Sequence, residues 1–224
     1  MWKMIGAPKG LQKREAGPVG GPRQTSLQTG TAKDLAKSAA LTGYVYLLVD
    51  RSASMKKGNK IKQAQKGAIK FAKNALEQGY YTGLIQFDDL PTLVCEPEKD
   101  IAKLEKAIST LTTGKYTHMA KAIRLAHSLL KNQAGMRVMV IVTDGLPNGE
   151  GDPQASLKAA EEARKDNIYI IAIGTDDANS EFLKHLATRF DLGVKIERNQ
   201  LASAIIDSSR LLPPPQNKLT KTGQ

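Results

Sequence analysis

The chain has 224 residues, a single cysteine (Cys95), and 33 Lys and Arg against 22 Asp and Glu, for a formal charge of +11. That length holds one good-sized core but not two comfortable domains plus tails, and a lone cysteine excludes an internal disulfide framework. No apolar run approaches the ~20 residues of a membrane span, so the expectation is a protein of the reducing cytoplasm with no membrane association.

Residues 1–40 carry Gly-Ala-Pro-Lys-Gly, Gly-Pro-Val-Gly-Gly-Pro and seven bases against Glu15 and Asp34. Glycine and proline at this density predict a flexible basic arm. It has an apolar tip at Trp2, Met4 and Ile5, and at most a short helical turn over 33–40. The apolar run Tyr44 to Val49 shows no alternation, which suits a strand buried on both faces of a parallel sheet. Asn59 is placed to cap a helix whose Ile61, Ala64, Ala68, Phe71, Ala75 and Leu76 recur at helical spacing, with Gly79 as its stop. A strand over 81–87 follows, then the turn Asp88-Asp89-Leu90-Pro91 and a short strand over 92–95. Asp88 and Asp89 read as solvated turn acids in preference to a second metal pair.

Asp100 is positioned to cap the next helix, which turns Ile101, Leu104, Ile108 and Leu111 inward. A glycine-bearing loop over 112–119 leads into a helix over 118–131, and a strand is expected over 136–142. Asp152 before Pro153 reads as a helix start. A strand over 168–173 ends at Gly174-Thr-Asp-Asp, a helix covers 180–190, a short strand 193–196, and a helix capped by Asn199 runs to about Arg210. Leu211-Leu-Pro-Pro-Pro halts it, leaving 212–224 as a proline-led tail. Strands alternating with helices imply a mostly parallel sheet covered on both faces.

Three stretches carry the chemistry. The first strand runs into Asp50-x-Ser52-x-Ser54, a carboxylate and two hydroxyls just past its carboxyl end, where ligands bind in open α/β sheets. Hard oxygens converging there suit Mg²⁺ or a similar cation. Helix capping alone explains the same residue types. The strand Met136 to Thr143 also ends in an aspartate, Asp144, followed by Gly145-Leu-Pro. Thr117, in the loop Thr113-Gly-Lys-Tyr-Thr-His-Met, can add a hydroxyl from a third direction. His118 stands beside it; His118 and His127 do not share a helix face, which argues against a zinc pair.

With Asp50-Arg-Ser-Ala-Ser54, Thr117 and Thr143-Asp144-Gly145 in this order, residues 42–210 resemble the von Willebrand factor A (VWA) family. The resemblance implies a VWA domain over 41–211 with a Rossmann-like, doubly wound, mostly parallel six-stranded sheet of order 3-2-1-4-5-6, strand three antiparallel, flanked by helices. It implies that Asp50, Ser52, Ser54, Thr117 and Asp144 form a metal-ion-dependent adhesion site (MIDAS). Mg²⁺ is the expected ion, with Mn²⁺ and Ca²⁺ as alternatives. Ser52 and Ser54 would coordinate directly, and the other three directly or through water. An Asp or Glu of a partner protein would take the open position. Intracellular members resembling this chain accompany AAA+ ATPases or kinase–phosphatase stress systems, which makes an adaptor or regulator of a cytoplasmic complex the expected role.

Residues 51–76 hold Arg51, Lys56, Lys57, Lys60, Lys62, Lys66, Lys70 and Lys73 and no acid. Such a field favours an acidic surface, so Lys56, Lys57 and Lys60 are candidate partner-binding residues, with a solvated lysine face as the bland alternative; His118 joins them because it stands next to the candidate ligand Thr117. A polyanion- or nucleic-acid-binding role has less behind it, because there is no recognition motif and few aromatics to stack bases. A metal-dependent hydrolase is the other alternative. No base is evident beyond the two metal carboxylates, and the chain has no G-x-S-x-G elbow, P-loop, dinucleotide fingerprint or second aspartate in Asp50-Arg-Ser-Ala-Ser.

Overall fold

The apolar run after residue 42 forms β1 (Gly43–Asp50), the central strand of a six-stranded sheet of order β3-β2-β1-β4-β5-β6. The computed structural model describes residues 42–114, 117–147 and 153–215. The N-terminal arm, the Asp152 cap and the end of the tail lie outside them. The remaining strands are β2 (Tyr80–Phe87), β3 (Pro91–Glu98), β4 (Met136–Thr143), β5 (Tyr169–Thr175) and β6 (Gly193–Ile196). β2 and β4 pair with β1 in parallel, β5 and β6 continue in parallel, and β3 runs antiparallel to β2 at the edge. β3 is eight residues long, twice the expected length, because the ladder to β2 continues past Cys95 through a register shift to Glu98.

The helices are α1 (Lys60–Glu77), α2 (Ile101–Ser109), α3 (Met119–Leu130), α4 (Pro153–Lys165), α5 (Ser180–Leu186) and α6 (Leu201–Ser208). Alternate residues of β1 point to opposite faces, and both faces are covered. Val45, Leu47 and Val49 pack with Ala68 and Phe71 of α1, Leu104 of α2 and Ile205 of α6. Tyr46 and Leu48 pack with Ile123 of α3, Ala160 of α4 and Leu183 of α5. Burial on both sides is why β1 reads as an unbroken apolar run.

Local signals explain most element ends. Asp100 caps α2, its carboxylate accepting from the amides of Ala102 and Lys103. Asn179 caps α5 in the same way, accepting from Phe182. Asn59 precedes α1 but makes no capping bond, because its φ of 56° puts it in the left-handed region after a 3₁₀ stretch over Ala53–Asn59. The final helix is shorter than the spacing suggests: a 3₁₀ turn over Arg198–Gln200 leads into α6, and another over Ser209–Leu211 closes it. Leu212 is buried and the Tyr80 hydroxyl donates to the Pro213 carbonyl, so the domain packs up to the prolines.

After β1 the chain crosses to the α1 face, and α4, which follows β4, lies on the other. The carboxyl ends of these neighbouring strands therefore open a crevice where the winding reverses.

Candidate metal centre

The register pairs Val49 with Val142, so Asp50 and Thr143 end side by side. Asp50 is fully buried. Its Oδ1 accepts from the Ser52 amide at 2.8 Å and its Oδ2 from the Thr143 hydroxyl at 2.7 Å. The Ser54 hydroxyl donates to Asp144 Oδ1 at 2.7 Å and lies 3.0 Å from the Ser52 hydroxyl. Because Ser54 spends its one proton on Asp144, Ser52 donates to Ser54. Two carboxylates and two serine hydroxyls thus converge, and Met55, which is fully buried, anchors the turn behind them.

Thr117 is 4% exposed, and the segments on either side of it are tied to the same end of the sheet. The Gly114 amide donates to the Arg51 carbonyl, and the His118 amide donates to the Asp88 carbonyl at 2.8 Å. Arg51 in turn holds Asp88 through Nε and Nη2, both at 2.8 Å from Oδ2. Asp88 is therefore an anchor for this loop instead of a solvated turn acid. His118 Nδ1 lies 2.6 Å from the Asp89 carbonyl, so its ring is turned to the β2–β3 turn.

Lys60 departs from the expectation of a surface lysine. Lys56 and Lys57 are exposed, but Lys60 is 2% exposed and its ammonium is ion-paired with Asp144 Oδ2 and with Asp176 Oδ2, the latter at 2.6 Å. Arg198 Nε closes the network on Asp176 at 2.9 and 3.0 Å. The cause is local backbone: Gly58 and Asn59 both have positive φ, which turns the first residue of α1 back toward the crevice. Asp176 and Arg198 were not among the sequence candidates. Asp176 follows β5 at the same sheet end as Asp50 and Asp144, and that position was the available signal.

Charge shapes the protonation of these groups. Burial pushes the Asp50 carboxyl up to about 7; the bonds from Ser52 and Thr143 work against this, and the neighbouring Asp144 charge adds to it. Burial would lower the Lys60 ammonium, but its bonds to Asp144 and Asp176 outweigh this and leave it raised. Burial would raise the Asp176 carboxyl, yet Arg198 and Lys60 hold it below the ordinary range.

The donor set fits a small hard divalent cation. All candidate donors are oxygens, two of them carboxylates, and a buried Asp50 beside a second carboxylate is relieved by positive charge. Among the described residues no group of three or more His, Cys, Asp or Glu side chains is arranged to hold a metal ion by itself, so the serine and threonine hydroxyls are part of any ligand set here.

Comparisons agree on the fold. Residues 45–147 match the family model of the von Willebrand factor type A domain. The vWF domain of the type V pili tip protein Mfa5 from Porphyromonas gingivalis superposes with a TM-score of 0.70 at 15% identity, over 80% of this chain and 98% of that one. Proximal thread matrix protein 1 from the mussel byssus, in a structure with a zinc-occupied MIDAS motif, gives 0.65 at 19% identity, over 77% of this chain and 46% of that one. A von Willebrand factor type A structure from Catenulispora acidiphila gives 0.62 at 18% identity, over 75% and 42%. This chain thus spans less than half of the latter two. No curated protein matches it. Residues 45–147 thus match the von Willebrand factor type A domain family, and the sheet order is that of the von Willebrand factor A fold.

Proposed function

We propose that the domain is a divalent-metal-dependent protein-binding module that takes an acidic side chain of a partner and has no turnover of its own. The observation that carries this reading is the convergence of Asp50, Ser52, Ser54 and Asp144 on one crevice, linked by hydrogen bonds of 2.7–3.0 Å. These residues, with Thr117, would hold Mg²⁺. When bound, such an ion offers a partner carboxylate a coordination position. Hydroxyl-rich ligation leaves the ion short of negative charge, which favours a hard anion.

The surroundings support an interface. Leu90 and Leu146 are two of the four exposed large hydrophobics among the described residues, and they sit on the loops leaving β2 and β4 at the crevice end. Apolar contacts near a charged centre suit a protein surface. Lys56 and Lys57 add exposed positive charge beside the crevice, which attracts an acidic partner. Both carboxylates are already engaged, Asp50 by Ser52 and Thr143, Asp144 by Ser54 and Lys60, so neither stands free as a general base.

Among the described residues no helix is long and apolar enough to cross a membrane. The lone Cys95 supports a reducing compartment. A regulator or adaptor of a cytoplasmic AAA+ ATPase or kinase–phosphatase system is the role proposed there. Pilus tip and byssus are the settings of the similar structures themselves.

Titration calorimetry with Mg²⁺ and Mn²⁺ tests the site: one ion per wild-type chain is expected, lost in Asp50→Ala and Ser52→Ala with the fold retained. Pull-downs with Mg²⁺ and with EDTA test the mechanism. Partner capture that resists EDTA and survives both substitutions would refute it.

A further inference from the structure

Lys60 is the only basic side chain buried among the described residues, and its position is specified from several directions. The left-handed pair Gly58 and Asn59 aims it at the crevice. Asp176, itself at φ 50°, receives its ammonium at 2.6 Å, and Arg198 clamps the far side of Asp176 while its side chain lies against Gly58. The two oxygens of Asp144 are thereby divided. Oδ1 faces the serine hydroxyls, and Oδ2 carries the ammonium.

We propose that Lys60 is a tethered cation of the metal centre that sets its ion affinity and keeps the bound ion receptive to an acidic ligand. The proposal rests on the metal-binding reading above. An ammonium on one oxygen of a carboxylate cancels much of the negative charge that the other oxygen would give an ion. In a buried site a unit charge a few ångströms from a divalent ion is weakly screened. The ion is then held less tightly, and more of its charge is left for an incoming carboxylate. Asp176 and Arg198 belong to the same device. Asp176 pins the ammonium so that it cannot swing out to water, and Arg198 balances the charge of Asp176. This assigns Lys60 the opposite role to the exposed Lys56 and Lys57: it acts on the ion from within and does not steer the partner from outside.

The test is Mg²⁺ affinity by titration calorimetry on the whole chain, with wild type, Lys60→Met, Lys60→Gln and Lys60→Arg, together with thermal melts in EDTA and in saturating Mg²⁺. The neutral variants should bind Mg²⁺ roughly tenfold tighter or more, as loss of a unit charge at this range requires. They should also show a larger rise in melting temperature on adding Mg²⁺ than wild type. Lys60→Arg, which keeps the charge, should stay within a few-fold of wild type. Lys60→Gln keeps a hydrogen-bond donor for Asp144 and so reports even where Lys60→Met does not fold. A merely structural lysine would move the affinity the other way. If wild type binds Mg²⁺ and the folded neutral variants bind it equally or more weakly, the proposal is overturned and the metal centre stands. If folded neutral variants bind while wild type does not, the charge role stands and metal-dependent function in wild type falls. If none of the folded proteins binds, both are overturned.

Discussion

The Thr143 hydroxyl donates to Asp50 Oδ2 at 2.7 Å, joining the last residue of β1 to the last residue of β4 across the reversal point of the sheet. Both residues are fully buried, so the bond cannot be replaced by water. Thr143→Val keeps the shape and removes the donor. It is expected to destabilise the metal-free domain by about 1–3 kcal/mol, read by urea denaturation in EDTA. A loss below a few tenths of a kcal/mol would mean that Asp50 does not depend on this donor.

The exposed lysines of the first turn and the buried one call for separate experiments. Lys56→Glu together with Lys57→Glu changes exposed charge only, and stability should stay within about 0.5 kcal/mol of wild type. Association with the partner recovered in Mg²⁺ pull-downs should slow, and its dependence on salt should flatten. An unchanged rate and slope would make these residues a solvated face. Lys60→Glu does not belong in that set, because it would place a third acid against Asp144 and Asp176.

Gly58 has φ +63°, and a β-carbon there would run into the Arg198 side chain. Gly58→Ala is expected to cost about 1–2 kcal/mol for the left-handed backbone, plus whatever it takes to move Arg198. Gly58→Ala combined with Arg198→Ala should therefore lose less than the sum of the two single changes. Strict additivity in denaturation would show that the two sites do not communicate.

Asp176 supplies the pH dependence. Its carboxyl is held below the ordinary range in the folded protein, although burial alone would raise it, because Arg198 and Lys60 donate to it. A depressed folded value means that its stabilising contribution is present above the unfolded carboxyl value of about 4 and is lost as pH falls through the folded value. Asp176→Asn should therefore be less stable than wild type at neutral pH, with the gap closing on acidification. A gap that persists in acid would assign the loss to packing.

Much of this domain was legible from local patterns. The apolar run of β1 ended in Asp50, the spacing of α1 gave its buried stripe, and Asp100 capped α2, because each depends on residues within a turn or two of one another. The resemblance carried the strand order and named Asp50, Ser52, Ser54 and Asp144, which the fold does bring to one crevice. What local pattern could not decide was the use of each charge. Lys60 is one lysine among eight bases in 51–76, and its neighbours in sequence are solvated. It is buried because Asp144 and Asp176, which lie 84 and 116 residues further on, arrive on the ends of β4 and β5. Asp88, read as a turn acid, is likewise engaged by Arg51 from the loop after β1. Burying a charge is tolerable only where its counter-charge is already in place. That counter-charge is supplied by the pairing of strands distant in sequence, so only the tertiary structure could separate the lysine inside the centre from those around it.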